Sequence, residues 1–259
     1  MYSSSRPRTV KIGATESYIL RKLENGPIHM TLLDPENISI ERATQIAKIV
    51  EAEGSSAIMV GGSTVASQNE MDEFVISLKK NVKIPIIIFP NNVQALTKHA
   101  DAVWYMSLLN SLEWYYIIGA QMQAAPFIKK HNIETIPMAY IVFRADTAVS
   151  AIGRVLPIPE NHPEVVAAYA LAAQYLGFRF VYLEAGSGAP QPIPSKVIKT
   201  IRSSIEIPLV VGGGIRSVEQ INEVIKAGAD IIVTGTLAEE DLNQLKRLIN
   251  IVKSYRTDQ

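Results

Sequence analysis

Short apolar runs alternate with longer amphipathic segments along most of the chain. The short runs are rich in β-branched residues and predict strands, whereas the longer segments repeat apolar residues at the helical period and predict helices. The runs that predict strands span residues 28–33, 57–60, 86–89, 102–106, 135–143, 180–183, 209–211 and 231–233. Strands that alternate with helices in this way are typical of a parallel sheet covered by helices.

Eight such strands are enough to close a barrel. The runs at 84–89 and 207–211 are apolar on both faces, as expected for strands between a barrel interior and outer helices. An open doubly wound sheet would have fewer strands and a topological switch point. We therefore predict an α/β protein with a (β/α)8 TIM barrel fold, in a single domain over residues 1–259 whose residues 1–13 form a flexible N-terminus. An extra helix at 16–23 is expected to close the bottom of the barrel.

Several predicted helices have recognisable ends. Ser217 and Gln220 fit a capping box at the start of a helix that ends near Gly228. Gly54 and Gly177 fit the position that follows a helix. Pro163 fits the first turn of the helix that reaches Tyr175.

The composition narrows the classes of function. The chain of 259 residues is 47% hydrophobic and 19% charged, with 25 basic and 25 acidic residues and no cysteine. This excludes a disordered chain, thiol catalysis and thiolate metal sites, and the absence of a basic cluster argues against a nucleic-acid partner. The longest uncharged stretch, between Glu113 and Lys129, is too short to cross a bilayer, and the polar first residues do not resemble a signal peptide. We expect a cytoplasmic protein without a transmembrane segment.

Glycine-rich loops follow the seventh and eighth predicted strands, where parallel barrels place their active sites. Gly212, Gly213 and Gly214 end one strand, and Gly235 and Thr236 end the next. Such loops let backbone N–H groups approach a phosphate, and a Cβ at Gly213 would then occupy the space of a phosphate oxygen. The alternative is that the glycines only turn the chain. Ser187 and Gly188, after the sixth strand, would enlarge the same phosphate site.

Asp34 follows the first strand and offers a hard oxygen ligand. Hydroxyl groups of Ser63 or Thr64 follow the neighbouring strand, and this combination suits Mg²⁺ better than a softer metal. Mg²⁺ is commonly held by one or two carboxylates together with substrate phosphates, so a phosphate site across the barrel mouth favours the metal. The alternative is that Asp34 forms a turn or caps the following helix.

Glu184 ends the sixth strand with its carboxylate directed into the barrel mouth, where it could bind a substrate hydroxyl. Tyr182, two residues earlier, faces the same side. The alternatives are a buried salt bridge from Glu184 to an arginine, and a space-filling role for Tyr182. No strand end offers a lysine for a Schiff base, and the four histidines lack the spacing of metal ligands.

The fourth strand and the segment after it carry more apolar surface than one helix face needs. Trp104 ends this strand together with Tyr105 and Met106, and Trp114, Tyr115 and Tyr116 follow. The surplus fits either a groove for a long hydrocarbon substrate or a subunit interface. Both roles are compatible with the sequence, and the surplus of apolar surface argues against a monomer and favours a homo-oligomer.

Together, the residues at the strand ends resemble the geranylgeranylglyceryl phosphate synthase family, which includes bacterial heptaprenylglyceryl phosphate synthases. The resemblance covers nearly the whole barrel. It is carried by His-Met-Thr-Leu-Leu-Asp-Pro (29–35), Met-Val-Gly-Gly-Ser-Thr (59–64), Tyr-Leu-Glu-Ala-Gly-Ser-Gly-Ala (182–189), Val-Gly-Gly-Gly-Ile-Arg (211–216) and Thr-Gly-Thr (234–236). The motif at 182–189 is the most specific, whereas the triple glycine occurs in many phosphate-binding barrels.

The resemblance implies a Mg²⁺-dependent prenyltransferase that joins a prenyl diphosphate to the 3-hydroxyl of sn-glycerol 1-phosphate, the first committed step of archaeal membrane lipid synthesis. The lipid product would be released by peripheral contact with a membrane. By position, Asp34 and Ser63 would bind the metal, with Glu184 and Tyr182 as the catalytic residues. The implied glycerol phosphate site consists of Tyr182, Leu183, Glu184, Ala185, Gly186, Ser187, Gly188, Gly213, Gly214, Gly235 and Thr236. Part of the family has a lysine where this chain has Leu32, so the group that replaces that lysine is unassigned.

Two other functions fit a phosphate-binding barrel. An isomerase or cyclase of amino-acid biosynthesis would use the same glycine loops, but it would be expected to carry acid or base carboxylates or a cysteine on strands one and five. The fifth strand here ends in Val142, Phe143 and Arg144, which argues against that function. A phosphometabolite-binding barrel without catalytic activity would keep the glycines and would not need Asp34 or Glu184.

Overall fold

Eight parallel strands form a closed barrel in a computed structural model that describes residues 11–62, 67–144 and 146–256. Each strand pairs with its neighbours in chain order, and the eighth strand pairs with the first. The strands are β1 (Ile28–Leu33), β2 (Ala57–Val60), β3 (Ile86–Ile88), β4 (Ala102–Leu108), β5 (Glu134–Val142), β6 (Phe180–Glu184), β7 (Leu209–Gly212) and β8 (Ile231–Thr234). The prediction of a TIM barrel is confirmed.

Helices surround the barrel and connect most of its strands. They are α1 (Ala14–Leu23), α2 (Ile40–Glu53), α3 (Gln68–Lys79), α4 (Ala120–His131), α5 (Ala148–Ile152), α6 (Pro163–Tyr175), α7 (Ser195–Arg202), α8 (Val218–Lys226), α9 (Thr236–Glu240) and α10 (Leu242–Ser254). The predicted helix ends are confirmed where the sequence marked them. Ser217 and Gln220 form a capping box, Gly54 ends α2 with a φ of +115°, and Pro163 opens α6.

The extra helix α1 packs at the N-terminal end of the barrel, as predicted. Its Ile19 is fully buried and belongs to the apolar cluster that fills the barrel interior. The carboxylate of Glu134, at the start of β5, accepts hydrogen bonds from the backbone N–H groups of Thr15 and Glu16 at 2.9 and 2.8 Å. The buried Glu16 carboxylate pairs in turn with Arg179. These contacts fix α1 beneath the barrel.

The connection from β3 to β4 departs from a regular helix-covered barrel. Between these strands the described chain has only a 3₁₀ turn, Val93–Ala95, in place of an α-helix. The segment after β4 begins as a π-helical turn, Tyr115–Gly119, before it becomes α4. Ser107 of β4 explains part of this irregularity because its hydroxyl donates to the Ile117 carbonyl at 2.6 Å. The outer layer is therefore thin beside β3 and β4.

Two apolar layers form the core. The outer layer joins the strands to the helices, and the inner layer fills the barrel. Trp104 of β4 is fully buried in the inner layer and packs edge-on against Phe180, with ring centroids 5.2 Å apart. Nearer the C-terminal ends of the strands, Phe89, Tyr140 and Tyr182 form a trio of rings with centroids 5.3–5.5 Å apart. We call this trio the aromatic floor, because it lies beneath the barrel mouth.

No helix among the described residues is long and apolar enough to cross a membrane. The predicted flexible N-terminus, residues 1–13, lies mostly outside the described residues and stays a prediction.

Candidate active site

A large cavity of about 320 Å³ opens at the C-terminal ends of the strands. Its polar end is lined by Asp34, Glu184 and Ser187. From there it passes the inward-facing Trp104 and extends to residues of the outer layer and of α4. These apolar lining residues include Leu96, Val103, Ala120, Ala124 and Ile128. The cavity thus runs from the barrel mouth to the outer side of β4, where the regular helix is absent.

Glu184 is a buried carboxylate at the end of β6, 7% exposed. Its Oε1 accepts a hydrogen bond from the Gly186 backbone N–H at 2.6 Å, and its side chain also hydrogen-bonds with that of Tyr182. Burial raises the pKa of Glu184, and these two hydrogen bonds oppose the rise. The ion pairs found among the described residues do not include Glu184, so the alternative of a buried salt bridge is not supported. A desolvated carboxylate facing a cavity is suited to accept a proton.

Tyr182 lies below Glu184 in the aromatic floor and is 1% exposed. A Cβ at Gly212 would overlap its hydroxyl, so the glycine makes room for this side chain. Burial and the nearby Glu184 carboxylate raise the pKa of Tyr182 well above its usual value, which keeps the phenol neutral. A neutral phenol therefore lies beside the Glu184 carboxylate.

A second, small cavity of about 30 Å³ lies between the loops that follow β7 and β8. Gly213, Gly214, Gly235 and Thr236 line it, as expected for the glycine loops of a phosphate site. Gly213 and Gly214 adopt φ values of +82° and +69°, which other residues rarely tolerate. However, a Cβ at Gly213 would overlap Glu184 Oε1, so the structure does not direct it into the space of a phosphate oxygen. Substitution of Gly213 would therefore disturb the carboxylate.

Asp34 is a half-buried carboxylate at the end of β1. The prediction that it faces the glycine loops across the barrel mouth is wrong for the loop after β8, because β8 pairs with β1 and brings Gly235 beside Asp34. Its Oδ1 accepts from the Glu36 backbone N–H at 3.0 Å, and its Oδ2 accepts from Asn37 Nδ2 at 3.3 Å. These bonds are compatible with the alternative that Asp34 shapes the turn after β1. Burial raises the pKa of Asp34, and the Asp34 charge helps burial to raise the pKa of Glu239.

The Asp34 carboxylate offers oxygen atoms of the kind that a hard cation prefers as ligands. A Cβ at Gly62 would overlap the Asp34 carboxylate, so a glycine is needed at that position. The described residues include no group of three metal-ligating side chains, so most ligands of a cation here would come from a substrate and from water. The other predicted metal ligand, Ser63, lies outside the described residues, as does Thr64.

The structure separates the predicted substrate residues into two groups. Ser187 and Gly188 line the large cavity, and Gly186 supplies the N–H that holds Glu184. In contrast, Leu183 and Ala185 are fully buried in the outer apolar layer and face away from the mouth. The alternation of side chains along a strand could have indicated this.

Sequence reasoning did not single out Arg216 as a site residue. Arg216 lines both cavities, and its guanidinium pairs with Glu240 at 2.9 Å. Arg216 directly follows the glycine loop and Ile215. Its position shortly after the end of β7 is the feature of the sequence that could have identified it as a site residue. It provides positive charge where the two cavities meet.

The apolar segment around β4 divides between the two predicted roles. Trp104, Tyr105, Met106 and Tyr116 line the large cavity. Trp114 is instead 59% exposed on the outer surface. One part of the segment therefore belongs to the cavity, and the other part remains available for an interface.

The fold and the site define a class of protein: a (β/α)8 barrel with a small glycine-lined cavity and a buried carboxylate at the barrel mouth. Within this class, the chain belongs to the PcrB family, whose model matches residues 19–254.

Relatives and a solved structure support this assignment. The chain is 50% identical over 245 residues to the geranylgeranylglyceryl phosphate synthase of Thermofilum pendens, covering 94% of this chain and 96% of the relative. It is 50% identical over 230 residues to that of Pyrococcus furiosus, covering 89% and 92%. The structure is similar to the (S)-3-O-geranylgeranylglyceryl phosphate synthase of Thermoplasma acidophilum in complex with its substrate sn-glycerol-1-phosphate. The TM-score is 0.89 at 41% identity, covering 95% of this chain and 99% of that chain.

Proposed function

We propose that this protein transfers a geranylgeranyl group from its diphosphate to the 3-hydroxyl of sn-glycerol 1-phosphate and thereby forms an ether bond. The observation that carries the proposal is the shape of the barrel mouth. There a buried carboxylate, Glu184, adjoins a glycine-lined cavity on one side and a long apolar cavity on the other. The two substrates have the matching parts: a small phosphate ester and a long hydrocarbon.

The small cavity suits the phosphate of the glycerol substrate. The glycines after β7 and β8 line it with backbone, and Arg216, which also pairs with Glu240, supplies a positive charge at the rim. From a phosphate held here, the glycerol hydroxyl would extend toward Glu184, because the backbone of Gly213 and Gly186 lies directly against the Glu184 carboxylate.

The large cavity suits the prenyl chain. Its apolar part includes Trp104, Tyr116 and the face of α4 that carries Ala124 and Ile128. Such a lining favours burial of a hydrocarbon by roughly 0.8 kcal/mol for each CH₂ group. The chain would leave the barrel mouth over β4, beside the turn that replaces a helix.

In the proposed reaction, Glu184 accepts the proton of the glycerol 3-hydroxyl on a carboxylate oxygen as that hydroxyl oxygen attacks C1 of the prenyl group. The new C–O bond forms while the bond from C1 to the diphosphate breaks, and the diphosphate leaves with the electron pair. Tyr182 and the Gly186 N–H keep Glu184 oriented toward the hydroxyl. The aromatic floor excludes water and offers π faces to positive charge that develops at C1.

Mg²⁺ is part of the proposal. Asp34 would hold it, with Ser63 as the second protein ligand, and the bound cation would neutralise charge on the leaving diphosphate. The half-buried position of Asp34 and the second carboxylate beside it, Glu239, support this placement.

One assay tests the proposed function against its alternatives. The protein is incubated with sn-glycerol 1-phosphate, Mg²⁺ and labelled geranylgeranyl diphosphate. Phosphatase then removes the phosphates, and label is sought in an organic-extractable glyceryl ether separated from the free prenyl alcohol. We expect ether formation that requires both substrates. Release of diphosphate without an ether, or binding of glycerol phosphate without turnover, would contradict the proposal. The second result would support a barrel that only binds phosphometabolites.

Filling the apolar cavity should impair use of the long substrate. Ala124→Phe places a ring in the cavity, so we expect the rate with geranylgeranyl diphosphate to fall about tenfold, with a smaller loss for dimethylallyl diphosphate. Ala125→Phe is the matched control because the adjacent Ala125 is exposed on the same helix. Equal losses with both donors, or an equal loss in the control, would argue against a prenyl chain in this cavity.

We also propose that the protein forms a homo-oligomer. The support is a group of exposed apolar side chains on and beside the segment that leads into α4: Leu112, Trp114, Ile118 and Met122. Tryptophan and methionine are enriched at subunit interfaces. Trp114→Arg should shift the protein to a smaller species in sedimentation velocity, whereas Tyr175→Arg, on the exposed face of α6, should not. A wild-type protein that sediments as a monomer would contradict this proposal.

The cytoplasmic location and the membrane contact during product release stay predictions.

A further inference from the structure

A buried polar network behind the small cavity has no part in the reaction described above. It consists of His29 and Thr31 on β1, Ser55 before β2, and Thr234 at the end of β8. All four residues are at most 4% exposed, in a region otherwise filled by apolar side chains. Buried polar groups cost stability unless they bond one another, so a network here requires an explanation.

His29 is the centre of this network. Its Nδ1 lies 3.2 Å from Ser55 Oγ, and its Nε2 lies 2.9 Å from Thr234 Oγ1. Ser55 is itself fixed, because its hydroxyl lies within hydrogen-bond distance of the backbone carbonyls of His29 and Ala57 and of the Thr31 hydroxyl. A hydroxyl both donates and accepts, so either tautomer of His29 can make both bonds. The ring therefore links a fixed point beside β2 to the last residue of β8.

The hydrogen bond from His29 to Thr234 ends at the small cavity, where we place the phosphate of the substrate. Thr234 lines the small cavity and directly precedes Gly235 and Thr236, which line it as well. Gly235 has a wide range of backbone conformations, and the cavity depends on how the chain turns there. A bond that fixes Thr234 limits the positions that the following N–H groups can take.

His29 is not placed to exchange protons with a substrate. Burial lowers its pKa to about 3, so the ring is neutral under ordinary conditions. Both ring nitrogens face protein hydroxyls, and the residue is 1% exposed.

We propose that His29 is a positioning residue for the phosphate of the glycerol substrate, acting through its hydrogen bond to Thr234. This inference rests on the proposed function. It predicts an effect on binding of sn-glycerol 1-phosphate and none on the prenyl chain, whose apolar lining lies over β4, on the opposite side of the barrel from β8.

Two substitutions of His29 test its hydrogen bond to Thr234 and its hydrogen bond to Ser55 separately. His29→Gln can present an amide near the position of Nε2 and keep the bond to Thr234, whereas His29→Asn can present one near Nδ1 and keep only the bond to Ser55. We expect His29→Asn to raise KM for sn-glycerol 1-phosphate about tenfold, with kcat and KM for geranylgeranyl diphosphate within about twofold of wild type. His29→Gln should raise KM for sn-glycerol 1-phosphate by less than about threefold. Thr234→Val should behave like His29→Asn, and the double variant should be no worse than either single one.

A control variant distinguishes the loss of the His29 network from a general loss of stability. Ile232→Ala removes a buried side chain from β8, next to His29 across the β1–β8 pairing, but leaves the network intact. We expect it to lower the melting temperature without raising KM for sn-glycerol 1-phosphate. An equal KM increase in this control, equal effects of the two His29 substitutions, or additive effects in the double variant would overturn the inference.

Calorimetric binding of sn-glycerol 1-phosphate to the wild-type protein separates this inference from the proposed function. Weaker binding by His29→Asn than by wild type, with His29→Gln close to wild type, supports it. Wild-type binding that His29→Asn retains in full overturns the positioning role alone. No binding by the wild-type protein overturns the proposed function and this inference with it.

Discussion

Replacing Glu184 by glutamine should reduce turnover by about 10²–10⁴-fold with little loss of thermal stability. Glutamine keeps the shape of the side chain and an oxygen that can accept from the Gly186 N–H, but it cannot take the proton of the glycerol hydroxyl. The large effect follows because the described residues offer no second carboxylate within the Glu184 hydrogen-bond network. Turnover and melting temperature would be measured on one preparation.

The stability of this variant distinguishes a base from a structural ion pair. If Glu184 were half of a buried ion pair, its loss would cost about 3–5 kcal/mol. Instead, burial raises the Glu184 pKa in the folded protein, so ionisation of this group opposes folding. The stability that the protonated Glu184 contributes is fully present at a pH below the pKa that Glu184 has in the unfolded chain. It is lost as the pH rises through the higher pKa that Glu184 has in the folded protein. The melting temperature of Glu184→Gln should therefore equal that of wild type in acid and be equal or higher near neutral pH.

The pH profile gives a second test of the same residue. A base must be ionised to act, so wild-type turnover should decline on the acid side around a pKa above that of an ordinary glutamate. The residual rate of Glu184→Gln should lack this decline. Glu206→Gln is the control, since Glu206 is exposed at the opposite end of β7 from the mouth. A strongly destabilised Glu184→Gln with near-normal turnover would remove Glu184 from the mechanism.

The barrel itself could be predicted because its signals are local. Apolar runs marked all eight strands, and most boundaries agree with the structure within one or two residues. The chief extension is β4, which continues to Leu108 because its last residues pair with β5 up to Tyr140. Such pairing depends on the neighbouring strand and leaves no pattern in the β4 sequence.

The irregular outer layer could not be predicted for the same reason. The π-helical turn before α4 depends on Ser107 and Tyr105 of β4, whose hydroxyls bond carbonyls of the segment that follows. The sequence showed that this segment carried surplus apolar surface. It could not show which residues would enter the cavity and which would face outward, because that choice depends on the turn.

The candidate site was predictable to the extent that it follows strand ends. Asp34, Glu184 and the glycine loops were identified by this position, whereas Arg216 and the polar network of His29 were not. The His29 bond joins residues 205 positions apart in the sequence, and a single sequence carries no signal for such a contact. Isolated histidines are commonly structural. The hydrogen bond from His29 to Thr234, which lines the small cavity, is what distinguishes His29 from such a residue.

Replacing Asp34 by asparagine should leave the fold intact and reduce Mg²⁺-dependent turnover by about 10²–10³-fold, which corresponds to several kcal/mol of lost charge stabilisation. Asparagine keeps an oxygen that can accept from the Glu36 N–H, so the turn after β1 should persist. In the proposed site the half-buried carboxylate would contribute its charge to a cation that has few other protein ligands among the described residues. Its loss should therefore also raise the Mg²⁺ concentration needed for half-maximal activity.

Two measurements complete the test of Asp34. Binding of Mn²⁺, followed by electron paramagnetic resonance in the presence of inorganic diphosphate, should weaken in Asp34→Asn and not in Glu41→Gln, which alters an exposed carboxylate in the first turn of α2. The melting temperature of Asp34→Asn should not fall below those of the other two proteins, since the hydrogen bonds of Asp34 lie at the surface and burial raises the pKa of its carboxyl. If Asp34 only shapes the turn, Asp34→Asn should retain both its metal affinity and its turnover. That result would assign the metal to other residues, because Asp34→Asn removes the charge of the side chain and one of its two acceptor oxygens.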